Sequence, residues 1–162
     1  MPVDPRAHSP VQLVAPPPLP FVSRKALRRV KDFKPAPACC PNCGAAVYLA
    51  SNAEIYGREY GDWPYAYLCE TKCSYVGLHP QTDLPLGTLA DRDVREARKK
   101  AKAVFFQVKA RTGWSRTECY SWLASELCLP KSETHFGFFD AQFCASAQAH
   151  CEGFLAKLES KK

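Results

Sequence analysis

Long apolar runs are missing from this sequence: none approaches the roughly 18 residues that a membrane-spanning helix needs. The opening residues, MPVDPRAHSPVQLVAPPPLP, also lack an apolar stretch behind a charged start, so no secretory leader is expected. Both absences point to a soluble protein of the cytoplasm with no membrane partner. Equally absent are a phosphate-cradling glycine loop, a nucleophile elbow and a His-Asn-His nuclease spacing. Without these, the expectation is a protein that is not an enzyme. Acidic residues are in deficit, 16 Asp and Glu against 22 Lys and Arg, which gives a formal net charge of +6.

Cysteine and proline are what the sequence has in excess, nine and fourteen in 162 residues. An odd number of cysteines, several of them inside helical patterns, fits free thiols plus one metal site better than complete disulfide pairing. Four of them stand in two close pairs, in CPNCG at 40–44 and CETKC at 69–73. Two such pairs converge tetrahedrally on one zinc ion, each on a tight knuckle with the intervening chain as a hairpin. Cys40, Cys43, Cys69 and Cys73 are therefore the expected ligands and Zn²⁺ the expected cofactor. The second pair has three intervening residues where two are commoner, and Cys39 or His79 is an alternative donor. A redox CxxC needs a helix starting at the motif, whereas Gly44 here leads into a strand pattern. Four thiolates close the coordination shell, which makes the metal structural.

Around these pairs the pattern is that of a zinc ribbon. AVYL ending at Leu49, AEIY at 53–56, YAYLC at 65–69 and SYVGL at 74–78 read as strands separated by turn residues. So small a core relies on its metal, which supplies on the order of 10 kcal/mol of folding free energy at neutral pH.

On either side of the ribbon the charge is unevenly distributed. Residues 1–38 carry seven Lys and Arg against two Asp and Glu, and residues 91–117 nine against three. The stretches 39–90 and 118–162 are mildly acidic, with two against five and four against six. Basic blocks of this kind suit a polyanionic partner. The first twenty residues, seven of them proline, read as a flexible tail. SRKALRRVKDFK then reads as a short helix capped by Ser23, a basic arm in which Arg24, Lys25, Arg28 and Arg29 contact phosphates.

After the ribbon, a helix with Thr88 or Asp91 as candidate caps runs through DRDVREARKKAKAVFFQV. At about 100° per residue from Arg92, its apolar residues Val94, Ala97, Ala101, Val104, Phe105 and Val108 fall within roughly 120–220°. Arg92, Arg95, Arg98, Lys99 and Lys102 fall with Lys109 within roughly 240–360°, a basic stripe beside the buried face. Ser115 and Glu118 make a capping box for a second helix over about 115–128, with Trp114 and Cys119 placed for a hydrophobic staple. Its exposed side has only one basic residue, thin for a DNA-reading recognition helix. A third helix from about Asp140 places Cys144, Ala147, Cys151, Phe154, Leu155 and Leu158 on its core side. The cysteines among these helices are expected as packing residues, not as a second metal site.

The stretches CPNCGAAVYLASNAEIYGREYG, YVGLHPQTDLPLGTLADRDVREARKKA and SRTECYSWLASELCLPKSETHFGFFDAQFC resemble a zinc-finger-containing family of unknown function found in bacteria, phages and mobile elements. The likeness covers about residues 39–150. It implies that the paired cysteines Cys40, Cys43, Cys69 and Cys73 are metal ligands and that the setting is phage or prokaryotic, and it implies no activity.

The expected architecture is α+β: a disordered Pro-rich tail and basic arm over 1–38, a zinc-ribbon module over 39–87, and a three-helix module over 88–162 packed on the ribbon. The expected function is non-enzymatic nucleic-acid binding, largely through phosphates. Ribbon aromatics among Tyr56, Tyr60, Trp63 and Tyr65 are candidates for stacking on unpaired bases. The alternative is a phage or mobile-element protein that binds and modulates a host protein or complex.

Overall fold

The computed structural model describes residues 2–161; Met1 and Lys162, the outermost residues of the expected tail and helical module, lie outside the described residues. The chain forms two compact units that divide at Asp91 and Arg92.

The first unit is built on a three-stranded antiparallel sheet in the order β1-β2-β3. It follows a 3₁₀ turn at Pro5–His8 and the short helix α1 (Arg24–Leu27), capped by Ser23, whose hydroxyl accepts from the Ala26 amide at 3.3 Å. Strand β1 (Val47–Ser51) leads into a helical turn α2 (Ala53–Tyr56), and β2 (Tyr65–Cys69) and β3 (Tyr75–Gly77) complete the sheet. Val47 faces Cys69 and Ser51 faces Tyr65 across the first pair; Leu68 faces Tyr75 across the second. Alternation along β2 then sends Tyr67 and Cys69 to one face and Ala66 and Leu68 to the other. Both faces are covered. Tyr67 and Cys69 join Leu19, Cys40, Val76, Leu78 and Leu89, while Ala66 and Leu68 join Ala50 and the half-buried Ile55.

That second face explains a departure from the sequence reading, which takes 53–56 as a strand. Ala and Glu are good helix formers, and Gly57, at φ 78°, closes the turn with its amide on the Ala53 carbonyl at 2.8 Å. Four residues are too few for periodicity to separate helix from strand. As a turn of helix the segment lays Ile55 over the sheet.

The Pro-rich segment also departs from expectation, because it has a defined, packed course. Ala7, Leu27, Val30 and Leu84 form a buried group to which Val3, Leu13, Val22 and Phe33 add partly buried side chains. Arg6 fastens it: Nη1 and Nη2 each donate to one Asp83 carboxylate oxygen at 2.8 Å, and Nε and Nη2 donate to Asp4. Arg6 beside it holds the Asp4 carboxyl below the usual aspartate range, although Asp4 is only 4% exposed. Prolines restrict the unfolded chain, so ordering this segment costs less than its composition implies. The scattered Val and Leu, together with a forked Arg–carboxylate contact, supply the gain.

The second unit is an up-down-up bundle of α3 (Arg92–Thr112), α4 (Arg116–Leu127) and α5 (Ala141–Glu159). Arg98 meets the residue before the Asp140 cap of α5, and Arg111 meets Glu159 near its end, so α3 and α5 run in the same direction. The core contains Ala101, Phe105, Val108, Cys119, Leu123, Phe136, Phe139, Cys144, Ala147 and Cys151. The capping box forms as expected: the Ser115 hydroxyl accepts from the Glu118 amide at 3.2 Å, and the Ser115 amide donates to Glu118 at 2.7 Å. Trp114, just ahead of it, packs its ring near those of Trp122 and Phe154, at 6.2 and 5.5 Å.

Candidate metal centre

Each cysteine pair sits on a tight turn with one residue in the left-handed region. In the first, Gly44 has φ 74°, and its amide donates to the Cys40 carbonyl at 2.8 Å. Such a turn favours glycine because a Cβ is strained there. In the second, Lys72 takes the left-handed position at φ 61°, and its amide donates to the Cys69 carbonyl at 2.8 Å. The extra residue between Cys69 and Cys73 is absorbed at that point. Lys72 Nζ in turn pairs with Glu54 at 2.7 Å and contacts the Tyr48 hydroxyl, tying the second knuckle to β1 and α2.

The sheet brings the knuckles together. β1 leaves the first and β2 enters the second, and the Val47–Cys69 register sets them side by side. Cys43 Sγ lies 3.3 Å from Cys69 Sγ and 3.5 Å from Cys73 Sγ, and Cys73 Sγ lies 3.7 Å from Cys69 and 3.6 Å from Cys40. All four sulfurs fall within 4.8 Å of one another. A tetrahedral shell with Zn–S bonds of about 2.3 Å has sulfur–sulfur edges of about 3.8 Å. The donor set, its number and its spacing therefore fit one zinc ion. Neither Cys39, which is exposed, nor His79 belongs to this group. His79 is half-buried, and burial lowers its pKa.

The sequence reading names the four ligands but not the side chains that hold them. Thr71 Oγ1 lies 3.2 Å from Cys43 Sγ and 3.1 Å from Cys69 Sγ, and Ser74 Oγ lies 2.7 Å from Cys40 Sγ. Hydrogen bonds from Thr71, Asn42 and Ser74 pull the Cys73 thiol down to about 5, and Thr71 likewise lowers Cys69. The Thr71 backbone also lowers Cys69, whereas Cys43, bonded by the Thr71 hydroxyl and the Ala45 backbone, is raised to about 11 by the adjoining Cys69 and Cys73 thiols and by burial. Outer partners of this kind orient thiolate ligands and favour their charged form. Their signal in the sequence is position alone, since all three hydroxyl or amide side chains lie inside or next to a knuckle.

Among the described residues the other cysteines form no second cluster of this kind. Cys119, Cys144 and Cys151 pack in the bundle core, where burial pushes Cys151 up to about 12. Cys128 is exposed at the end of α4.

The expected nucleic-acid contacts are divided by the fold. On α3, Arg92, Lys99 and Lys102 are exposed and Arg95 is half-buried. Arg98 turns inward: its Nε donates to the Phe139 carbonyl at 2.9 Å, and burial lowers its pKa. It acts as a brace between α3 and the entry to α5, which removes it from the exposed stripe. In the arm, Lys25 and Arg29 are exposed. Arg24 donates to the Val11 carbonyl and Arg28 to the Ala7 carbonyl at 3.2 Å, so both hold the N-terminal segment in place. Of the ribbon aromatics, Tyr56 and Tyr60 are exposed and meet edge to face at 5.2 Å. Trp63 and Tyr65 are partly buried and pack against the ribbon core.

No curated protein and no solved structure matches the chain. A family profile does: residues 36–152 match a zinc-finger-containing domain, and this span includes all four converging cysteines. The match extends over more than half of the sequence, and on it the chain belongs to the zinc-finger-containing domain family DUF3268.

Proposed function

We propose that the protein is a non-enzymatic, zinc-stabilised module that binds nucleic acid, mainly through phosphates contacted by its helical unit. The observation that carries this reading is the division of charge. Residues 92–162 hold thirteen Lys and Arg against eight Asp and Glu, whereas residues 1–91 hold nine against eight. Within the helical unit, Arg92, Arg95, Lys99 and Lys102 follow one another at intervals of three and four residues, so they share a face of α3 about 15 Å long. Arg98, the member of the stripe that faces inward, is not needed for that alignment. A row of fixed cations releases counterions from a phosphate backbone, which makes binding strong at low salt and weakly specific. The four-sulfur shell supports a structural role for the metal, because it leaves no coordination position for a substrate.

The test is binding of the zinc-loaded protein to labelled oligonucleotides across a salt series. Binding should weaken steeply with salt. Lys99→Glu combined with Lys102→Glu should lower affinity at least roughly tenfold and flatten the salt slope by about two contacts. Binding indifferent to both salt and these reversals would overturn the reading in favour of a protein partner, which a stoichiometric complex surviving nuclease and high salt would then identify.

A further inference from the structure

We propose that the surface of α3 and α4 around Phe106 and Tyr120 takes unpaired bases of a single-stranded nucleic acid, which stack on these rings while adjacent Lys and Arg side chains hold the phosphates. The inference rests on the nucleic-acid reading above and narrows it to single strands.

Phe106 is 45% exposed in the middle of the second unit's most basic helix. On the helical wheel it falls at about 320°, between Lys102 at about 280° and Lys99 at about 340°, inside the basic stripe. The Phe106 ring lies outside the buried core group, whose member Phe105, at 0% exposure, is its neighbour in sequence. Its orientation is nonetheless set by that core, since the Phe106 ring stands against Phe105 with centroids 5.9 Å apart and planes at 61°. Lys102 Nζ lies 5.8 Å from the ring centre.

The same arrangement occurs on the adjoining helix. Tyr120 of α4 packs on Phe105 at 4.8 Å, is half-buried, and has the Arg116 guanidinium 5.6 Å from its ring centre. Two partly exposed rings thus flank one buried phenylalanine, and each has a cation within 6 Å. A ring for the base and a cation for the phosphate is the pairing on which single-strand grooves rely, because every base has a face to stack. In a duplex the bases are already stacked on each other and cannot reach such rings, so the surface discriminates by strandedness and not by sequence.

The experiment measures the affinity of the zinc-loaded full-length protein for a fluorescein-labelled 20-nucleotide thymidine strand and for a 20-base-pair duplex, by anisotropy at low salt. The wild-type protein should prefer the single strand. Phe106→Ala should weaken single-strand binding by roughly 5- to 30-fold and leave duplex binding within about twofold, in line with stacking on one ring. Phe106→Leu, which keeps an apolar side chain without the aromatic face, should show the same loss, and Phe106→Trp should restore binding. Equal losses on both probes, or no loss on the single strand, would overturn the stacking inference. If Lys99→Glu with Lys102→Glu abolishes binding while every Phe106 variant binds normally, the phosphate reading stands and this one fails. If the wild-type protein binds neither probe, both fail.

Discussion

In the first unit the described apolar core is split into three small groups, two of them on the faces of the three-stranded sheet and one formed by the N-terminal segment with Leu84, and the largest includes two cysteines of the cluster, Cys40 and Cys69. In the second, one continuous group gathers Phe105, Phe136, Phe139, Leu123 and three cysteines between three helices. The same residue type serves opposite ends in the two. Cys40, Cys43, Cys69 and Cys73 converge within 4.8 Å among hydroxyls and amides, and hydrogen bonds led by that of Thr71 lower the Cys69 and Cys73 thiols. Cys119, Cys144 and Cys151 sit among apolar side chains, and burial raises all three thiols. A thiol's neighbours decide whether it is a ligand or a small hydrophobe.

The largest effect that would sharpen this contrast is metal removal. A strong chelator, or Cys69→Ser, should unfold the ribbon, since structural zinc contributes on the order of 10 kcal/mol at neutral pH. The helical signal of the second unit should persist, so circular dichroism at 222 nm should fall only partly while amide resonances of β1 to β3 collapse. Loss of both sets together would break the distinction between a metal-held and a core-held unit. Next in size is Phe105→Ala, which removes a fully buried ring from the bundle and should cost about 3–5 kcal/mol. Zinc content, read by metal analysis of the purified variant, should be unchanged.

Smaller effects test the N-terminal clasp and the helix cap. Arg6→Ala leaves Asp4 and Asp83 without their shared partner and should cost about 2 kcal/mol, seen as faster amide exchange over 4–30. The pH dependence follows from Asp4, whose folded pKa lies below its unfolded value of about 4. Its contribution is complete above that unfolded value and is lost as pH falls through the folded one. NMR titration of the Asp4 carboxyl should therefore give a midpoint below that of an ordinary aspartate, and Arg6→Ala should raise it. Ser115→Ala, which removes half of the capping box, should destabilise the bundle by only about 1 kcal/mol in thermal melts.

Much of the second unit was legible because its helices are long enough for period to show. Val94 to Val108 on α3 and Cys144 to Leu158 on α5 repeat their apolar residues over several turns, and Ser115 with Glu118 marks a start. The first unit was readable where chemistry is local, as in CPNCG and the alternation of YAYLC. Reading failed at AEIY, four residues whose conformation is set by the sheet face that Ile55 covers. It failed again at the Pro-rich start, where Arg6 finds Asp83 across 77 positions, a pairing no local pattern announces. Arg98 shows the same limit in the binding stripe: the wheel groups it with Lys99 and Lys102, but the Phe139 carbonyl draws it inward.

The paired cysteines, the α+β class, the starts of the long helices and the uneven charge are all local properties, which is why residues a few positions apart suffice to reveal them. Tertiary structure alone decided which cations remain on the surface, which hydroxyls support the sulfurs, how the proline-rich segment packs, and that Phe106 stands exposed in a basic stripe. Those outcomes depend on contacts between distant positions, where burial and partner geometry override local preference.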